Sequence, residues 1–436
     1  MTGIPEQVLD ILVADNPWLQ GRDISYCPAV RALPDKFIPR NKQLNADYRV
    51  CLVVGPRQAG KSTAIVHQLV SSDRPFLYLN CEEFLLKDWL QSPALFADAI
   101  PNLISEDTPI FFEEIQHLDQ TGLFLKGLVD RRIGPLYATG SAAFELDDAV
   151  RESLAGRALR HLLLPFSLNE RAFDVHDKPV ILRERRHVAL AKEMALDGGY
   201  PPVVLSEMPH NELTTLVESF VIKDASDRFR IRNIPAFRKI LELAASQIGN
   251  LCNYSEWASI AGISVESARE YTSLLVEAHV IRLVPPFVGG KRAEITSTPK
   301  VFFLDNGVRN RLFGGFSPLA RRSDHGALIE NYVFTELSKS INPLLDEIRF
   351  WRSKSRAEVD FVVIRSGEIE AWEVKAGDAG GRISRSARSF IDAYKPAQFY
   401  VVNSATHNEI KIEETTIQFL LPHQVESKGS APSLST

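Results

Sequence analysis

The run Gly55-Pro56-Arg57-Gln58-Ala59-Gly60-Lys61-Ser62, followed by Thr63, has the spacing G-x-x-x-x-G-K-[ST]. Phosphate chemistry needs this pattern. The glycines let backbone N–H groups wrap an anion, the lysine reaches the terminal phosphates, and the hydroxyl after it ligates Mg²⁺. The apolar run Val50 to Val54 leads into the loop, and a helix is expected from Ser62. Strand, loop and helix together aim N–H groups and a helix dipole at the bound phosphate.

A nucleotide site also needs acids at the metal, and Ile110-Phe111-Phe112-Glu113-Glu114-Ile115 ends an apolar strand in two of them. Glu113 is the candidate Mg²⁺ contact, direct or through water, and Glu114 the candidate for polarising the attacking water. Tyr137-Ala138-Thr139-Gly140-Ser141 reads as a further strand with a polar tip, where Ser141 is the candidate γ-phosphate sensor. In Leu154-Ala155-Gly156-Arg157, Arg157 is the candidate charge-stabilising arginine, supplied in cis or by a neighbouring subunit of a homo-oligomer.

A second constellation lies far downstream. Val359 to Arg365 and Glu368 to Lys375 flank Ser366-Gly367 and read as a hairpin. Pairing Arg365 with Glu368 and counting outward sets Asp360 opposite Glu373, with Lys375 two residues along on the same face. Opposed like charges destabilise a sheet, so the pair is an odd structural choice unless a divalent cation is held between them. Asp360, Glu373 and Lys375 have the D…E-x-K arrangement of restriction-type nucleases, in which two carboxylates hold Mg²⁺ and the lysine helps activate water. Glu330, in the helical run Leu328 to Tyr332, resembles the acid that such folds add from a helix. Arg349, Arg352, Lys354 and Arg356 are candidate phosphate contacts.

The elements that must position these residues follow from patterning. Four apolar runs, Val50 to Val54, Phe76 to Leu79, Ile110 to Phe112 and Leu136 to Thr139, alternate with loop or helix-like stretches, which predicts a parallel sheet with covering helices. A charged helical stretch is expected from Leu182 to Arg230, and a three-helix pattern from Pro235 to Leu283. Within the latter, Ser255 is the expected N-cap of one helix, Ala261-Gly262-Ile263-Ser264 a turn, and Glu266 to Ala278 a second helix. Val280 to Val284 with Gly289-Gly290-Lys291-Arg292 would then form a wing. The helix from Glu266 carries Glu266, Arg269, Glu270 and Glu277, a poor set for approaching phosphates, so packing or an ATPase-lid role is preferred to DNA contact.

With Glu114-Ile115-Gln116, Thr139-Gly140-Ser141 and Leu154-Ala155-Gly156-Arg157 beside the phosphate loop, the chain resembles a prokaryotic family of AAA-type ATPases. Gly198-Gly199-Tyr200-Pro201 and Phe303-Leu304-Asp305-Asn306-Gly307 extend the likeness along the whole chain. The resemblance implies an α/β protein: an ATPase domain (1–180), a helical and winged-helix segment (181–290) and a restriction-endonuclease-like domain (291–424); the polar, Pro/Gly/Ser-rich end (425–436) reads as a disordered tail. It implies use of ATP and Mg²⁺. Glu113 departs from the aspartate usual at that position.

Composition narrows the setting. In 436 residues, 45% hydrophobic and 24% charged, no window approaches a membrane span. The N-terminus has neither the basic start nor the apolar run of a secretory signal, so a cytoplasmic location is expected. Cys27, Cys51, Cys81 and Cys252 are scattered and read as buried packing residues. No histidine has metal-ligand or catalytic spacing. A net charge of -5 gives no global attraction to nucleic acid, so any such binding, DNA ahead of RNA, must use a local patch. Two functions stay open: an ATP-regulated nuclease, and an ATP-driven molecular switch that binds DNA or protein without cutting.

Overall fold

A computed structural model of the chain describes residues 3–47, 49–72, 74–141, 148–219, 231–287, 298–343, 345–354 and 356–429. They form two compact units, Met1–Leu164 and Pro165–Thr436.

The first unit is built on a five-stranded sheet whose pairings are all parallel. Its strands are β1 (Val50–Gly55), β2 (Leu77–Asn80), β3 (Ile110–Glu113), β4 (Leu136–Ser141) and β5 (Ala158–Leu162), in the order β2-β3-β4-β1-β5. The four apolar runs become β1 to β4, because a strand covered on both faces has no polar side to alternate with. β5 escapes the pattern because Ala-Leu-Arg-His-Leu is only half-buried along its length. One layer packs Leu52, Leu79, Phe112 and Phe124 together, and the other Val53, Ile65, Phe111 and Tyr137. All four cysteines are buried and unbridged, as expected. Among the described residues no helix is long and apolar enough to cross a membrane.

The second unit begins earlier than expected. Residues 165–180 pack with it, because the backbone N–H of Leu168 donates to the buried Glu336 carboxylate. The charged helical stretch is the helix Val180–Asp197 followed by Pro201–Leu205 and Pro209–Ser219; its expected end, 220–230, lies outside the described residues. Three helices follow, Ile234–Ser246, Tyr254–Ala261 and Val265–Glu277, around the buried Trp257. The second of these is capped by Asn253, which accepts the Glu256 N–H, and not by Ser255. The asparagine two residues earlier offers its amide oxygen as the acceptor and starts the helix sooner. Gly262 ends it at φ 66°, and Ser264 caps the third helix.

β6 (Ile281–Val284) pairs antiparallel with β8 (Lys300–Phe303), and between them β7 (Pro286–Phe287) joins a different sheet. The expected wing residues Gly289-Gly290-Lys291-Arg292 lie outside the described residues. That second sheet also holds β9 (Glu347–Arg352), β10 (Glu358–Arg365), β11 (Glu368–Val374), β12 (Gln398–Val402), β13 (Asn408–Ile412) and β14 (Thr415–Leu420). Its order is β13-β14-β12-β11-β10-β9-β7. Since β7 precedes residue 290, the middle and C-terminal segments share a sheet, and the expected boundary at 290/291 does not separate them. The helix Arg385–Tyr394 covers one part of the sheet with Phe390 and Ile391. The helix His325–Ser340 packs Phe334 against Phe361 of β10, with ring centroids 6.0 Å apart. Of the expected tail, Val425–Gly429 is helical, because Glu426 is buried where it accepts the Asn169 N–H at 2.7 Å; 430–436 lie outside the described residues.

The two motifs at Gly198 and Phe303 are halves of one joint. Buried Asp305 accepts the Gly199 N–H at 2.7 Å and the Val308 N–H at 3.0 Å. Gly198 sits at φ 76°, and a Cβ there would fall 2.1 Å from the Asp305 carboxylate, so only glycine fits. Asp305→Ala strands two buried donors and is expected to destabilise the chain by roughly 2–4 kcal/mol. Urea unfolding followed by tryptophan fluorescence measures this; a loss under about 0.5 kcal/mol would contradict the joint.

Candidate functional site

The phosphate loop hangs from the carboxyl end of β1. Three of its residues have positive φ, Gly55 at 148°, Gln58 at 58° and Gly60 at 83°, and such alternation curls successive N–H groups into an anion-binding concavity. A Cβ on Gly55 would meet the Leu163 carbonyl at 2.2 Å, so the first glycine is a steric requirement. Pro56 and Ala59 are buried, while Arg57 and Gln58 are exposed at the rim. The helix Lys61–Val70 starts one residue before the expected Ser62, and Ser62 and Thr63 are half-buried in its first turn. Lys61 is buried with its ammonium on the carbonyls of Gly55 and Pro56, at 3.2 and 3.0 Å, over the loop's own cradle. Arg40 went unnoticed in the sequence. It donates to the carbonyls of Ala59 and Leu164 and so braces the loop from outside; an isolated arginine carries no sequence signal of that role.

The acids arrive at the same edge. β3 ends at Glu113, paired with Asn80, and β4 brings Ser141 level with Gly55. Glu114 stands in the left-handed region at φ 52°, and its N–H donates to Thr139 Oγ1 at 2.9 Å. Non-glycine residues there are uncommon and concentrate where the surroundings enforce them. Thr139 is therefore a second residue missed, the one that seats Glu114. Gln116 Nε2 donates to the Glu114 carboxylate, and the Tyr78 hydroxyl to Glu113. The burial of Tyr78 and the charge of Glu113 both push the phenol up.

Arg157 does not join them. Val50 at the opposite end of β1 donates to its carbonyl, five residues below Gly55. At about 3.3 Å per residue this is about 16 Å from the loop. Its guanidinium binds Asp130 at 2.7 Å and holds that carboxyl below its ordinary range. Arg157 thus starts from the end of β1 opposite the loop and is already paired there.

In the second unit the hairpin register is as counted, with Arg365 opposite Glu368 and Phe361 opposite Trp372. A bulge between Val359 and Val362 then interrupts the pairing with β9, the device that commonly re-aims a side chain. Asp360 accepts the Val374 N–H at 2.7 Å instead of standing squarely against its partner. Buried Glu373 is bound by Lys375 Nζ at 2.7 Å and the Ser384 hydroxyl at 3.0 Å. Burial, with the charge of Glu373 added, raises Asp360 to about 6. Burial and the charge of Asp360 raise Glu330 to about 8. Glu330, Asp360, Glu373 and Lys375 therefore share one electrostatic neighbourhood. A groove of about 330 Å³ beside it is lined by Lys375, Asp378, Arg382 and Ser384.

Lys300 carries no sequence signal of its role: it is a buried lysine whose ammonium lies 2.5 Å from Glu358 Oε1 and 3.6 Å from Glu330 Oε1. Among the described residues no three or more His, Cys, Asp and Glu side chains form a preformed metal cage. The donors are nonetheless hard carboxylate oxygens, and Glu330 Oε1 is buried without a hydrogen-bond partner. Such a set suits Mg²⁺, which takes one or two carboxylates and keeps water. Of the candidate phosphate contacts, Arg349 is paired with Glu347 at 2.7 Å and Arg352 with Glu358 at 3.6 Å, whereas Lys354 and Arg356 are exposed.

Residues 47–172 match the profile of an AAA domain, and residues 189–319 and 325–422 match two domains of unknown function, DUF8612 and DUF4143. An uncharacterized protein of Mycobacterium tuberculosis is 27% identical over 394 residues, covering 88% of this chain and 82% of its own. One from Methanocaldococcus jannaschii is 25% identical over 333 residues, 72% of each chain. Among solved structures, a DNA replication initiation factor aligns with 53% of this chain and 87% of its own at 13% identity and a TM-score of 0.21. PCH-2 of C. elegans aligns with 61% of this chain and 68% of its own at 13% identity and a TM-score of 0.22. Residues 47–172, which carry the phosphate loop and the acidic strand end, are thus an AAA domain.

Proposed function

We propose that this chain is an ATP-hydrolysing regulator of its own Mg²⁺-dependent, nuclease-like centre, whose substrate is nucleic acid. In the first unit Lys61 neutralises the terminal phosphates, Ser62 and Glu113 hold Mg²⁺, Glu114 polarises water and Ser141 senses the γ-phosphate. Arg157, at the far edge of its own sheet, acts on the nucleotide of a neighbouring copy, so hydrolysis requires a homo-oligomer.

The observation that carries the nuclease reading is the clustering of Asp360, Glu330, Glu373 and Lys375 where a bulged hairpin meets a helix. Asp360 and Glu373 would hold the metal, which when bound supplies Lewis-acid polarisation of a phosphodiester. Lys375, already on Glu373, positions and helps deprotonate the attacking water. The winged-helix reading of the middle segment (181–290) rests on three helices followed by β6, which pairs with β8. Its helix Val265–Glu277 exposes Glu266, Arg269 and Glu270, with Arg269 laid over the Tyr254 ring at 4.5 Å, which favours packing over base reading. Exposed Lys354 and Arg356 are the better phosphate contacts.

The competing reading, a switch that binds without cutting, draws on Lys300, because a lysine already answers the acids. End-labelled DNA and RNA incubated with purified protein, with and without ATP and Mg²⁺, separate the two. Cleavage that needs Mg²⁺ and disappears in Asp360→Asn is the expected result, with DNA preferred. Binding without cleavage under every combination would leave the switch.

A further inference from the structure

Lys300 opens β8, paired with Val284 of β6, and bridges to Leu251 on its other side. Its backbone is thus fixed by the middle segment, while its side chain serves the C-terminal cluster. Two contacts set that placement. Asn331, the residue after Glu330, both accepts the Phe303 N–H at 2.8 Å and donates to the Phe303 carbonyl at 3.0 Å, locking the helix His325–Ser340 to β8. Gly249, whose N–H donates to the Val301 carbonyl, leaves the Glu330 carboxylate just enough room, since a Cβ there would meet both oxygens at 3.3 Å. The side chain of Lys300 is only 5% exposed, and its ammonium lies over the Phe350 ring, 5.4 Å from the centroid. A buried ammonium is retained only when carboxylates answer it, and here Glu358 and Glu330 do, within the field of Asp360.

We propose that Lys300 is the resident cation of the Glu330, Glu358 and Asp360 cluster, a positioning residue that neutralises these carboxylates before any divalent ion arrives and competes with that ion for them. The inference rests on the reading of this cluster as a metal-dependent centre. A divalent ion entering at Asp360 and Glu373 meets the field of a fixed positive charge, which weakens its binding. Because that charge is carried by β8, any movement of the middle segment that withdraws Lys300 strengthens metal binding. Lys300 thereby links the two segments that share the second unit.

Calorimetric titration of Mg²⁺ into the full chain, without nucleotide, tests this. Lys300→Met is expected to bind Mg²⁺ roughly tenfold or more tighter than the parent, while Lys300→Arg stays within about threefold of it. The gain must vanish in the Lys300→Met, Asp360→Asn double variant. Folded Lys300→Met protein with unchanged or weaker Mg²⁺ affinity overturns the proposal. If Lys300→Met fails to fold alone, judged by circular dichroism, recovery in Mg²⁺ supports it and persistent unfolding in Mg²⁺ overturns it. Asp360→Asn in the parent background keeps the two levels apart. If that change leaves Mg²⁺ binding intact, the metal-centre reading itself is wrong; if it removes binding while Lys300→Met has no effect, only the role of Lys300 falls.

Discussion

Replacing Glu114 by glutamine is expected to leave ATP bound and to lower turnover by about 10²–10⁴-fold, the range for losing a positioned general base. The amide keeps the volume and the Gln116 neighbour but cannot draw a proton from water. Nothing about the seat of the residue changes, because its N–H stays on Thr139 Oγ1 at φ 52°. Lys61→Ala acts earlier, removing the buried ammonium over the loop, and should abolish nucleotide binding itself. A fluorescent ATP analogue separates the two variants, and phosphate release measures turnover. Mixing adds a third reading: Arg157 lies about 16 Å below its own loop, so Arg157→Ala chains and Lys61→Ala chains, each inactive alone, should recover some turnover when combined. Normal hydrolysis by both Lys61→Ala and Glu114→Gln would remove the ATPase assignment of these residues.

The sequence made the phosphate edge legible because its requirements are local. Glycines at positive φ and a lysine at the helix start lie within a few residues of one another, and the two acids are adjacent at the end of one strand, so spacing within each motif carries its geometry. The hairpin register was legible for the same reason, since a two-residue turn fixes every pair outward from Arg365 and Glu368. What escaped is contributed from a distance. Arg40 braces Ala59, Thr139 seats Glu114, and Lys300 reaches Glu330, and none of these pairings has a sequence period to betray it. The bulge at Val359 was hidden too, because bulges follow from the partner strand and not from the strand's own residues. Domain limits moved for a related reason: β7 and the helix around Glu426 are held by tertiary contacts, with Trp351 and Asn169 among the partners, beyond the reach of composition.

Mg²⁺ is expected to stabilise the second unit strongly at pH 8 and little at pH 5. Asp360 and Glu330 are raised from 3.8 to about 6 and from 4.5 to about 8, by burial first and by carboxylate neighbours second. The folded state therefore holds protons that the unfolded chain has released. For such groups metal-free stability is fully present below about pH 4 and is lost as pH rises toward 8, where two carboxylates must ionise in a confined space. A divalent ion reverses the sign of this slope, because it binds only the ionised acids and competes with the protons for them. At Mg²⁺ a hundredfold above its dissociation constant the folded state gains about 2.7 kcal/mol, and that constant weakens as pH falls through the window from 8 to 6. Differential scanning calorimetry of the nucleotide-free full chain, at a series of pH values with Mg²⁺ and with EDTA, reads both effects. Asp360→Asn should flatten the metal-free slope and erase most of the Mg²⁺ shift, leaving the first unit's ATP-dependent stabilisation in place. An Mg²⁺ shift equal at pH 5 and pH 8, or one that survives Asp360→Asn, would show that the acid cluster is not where the metal binds.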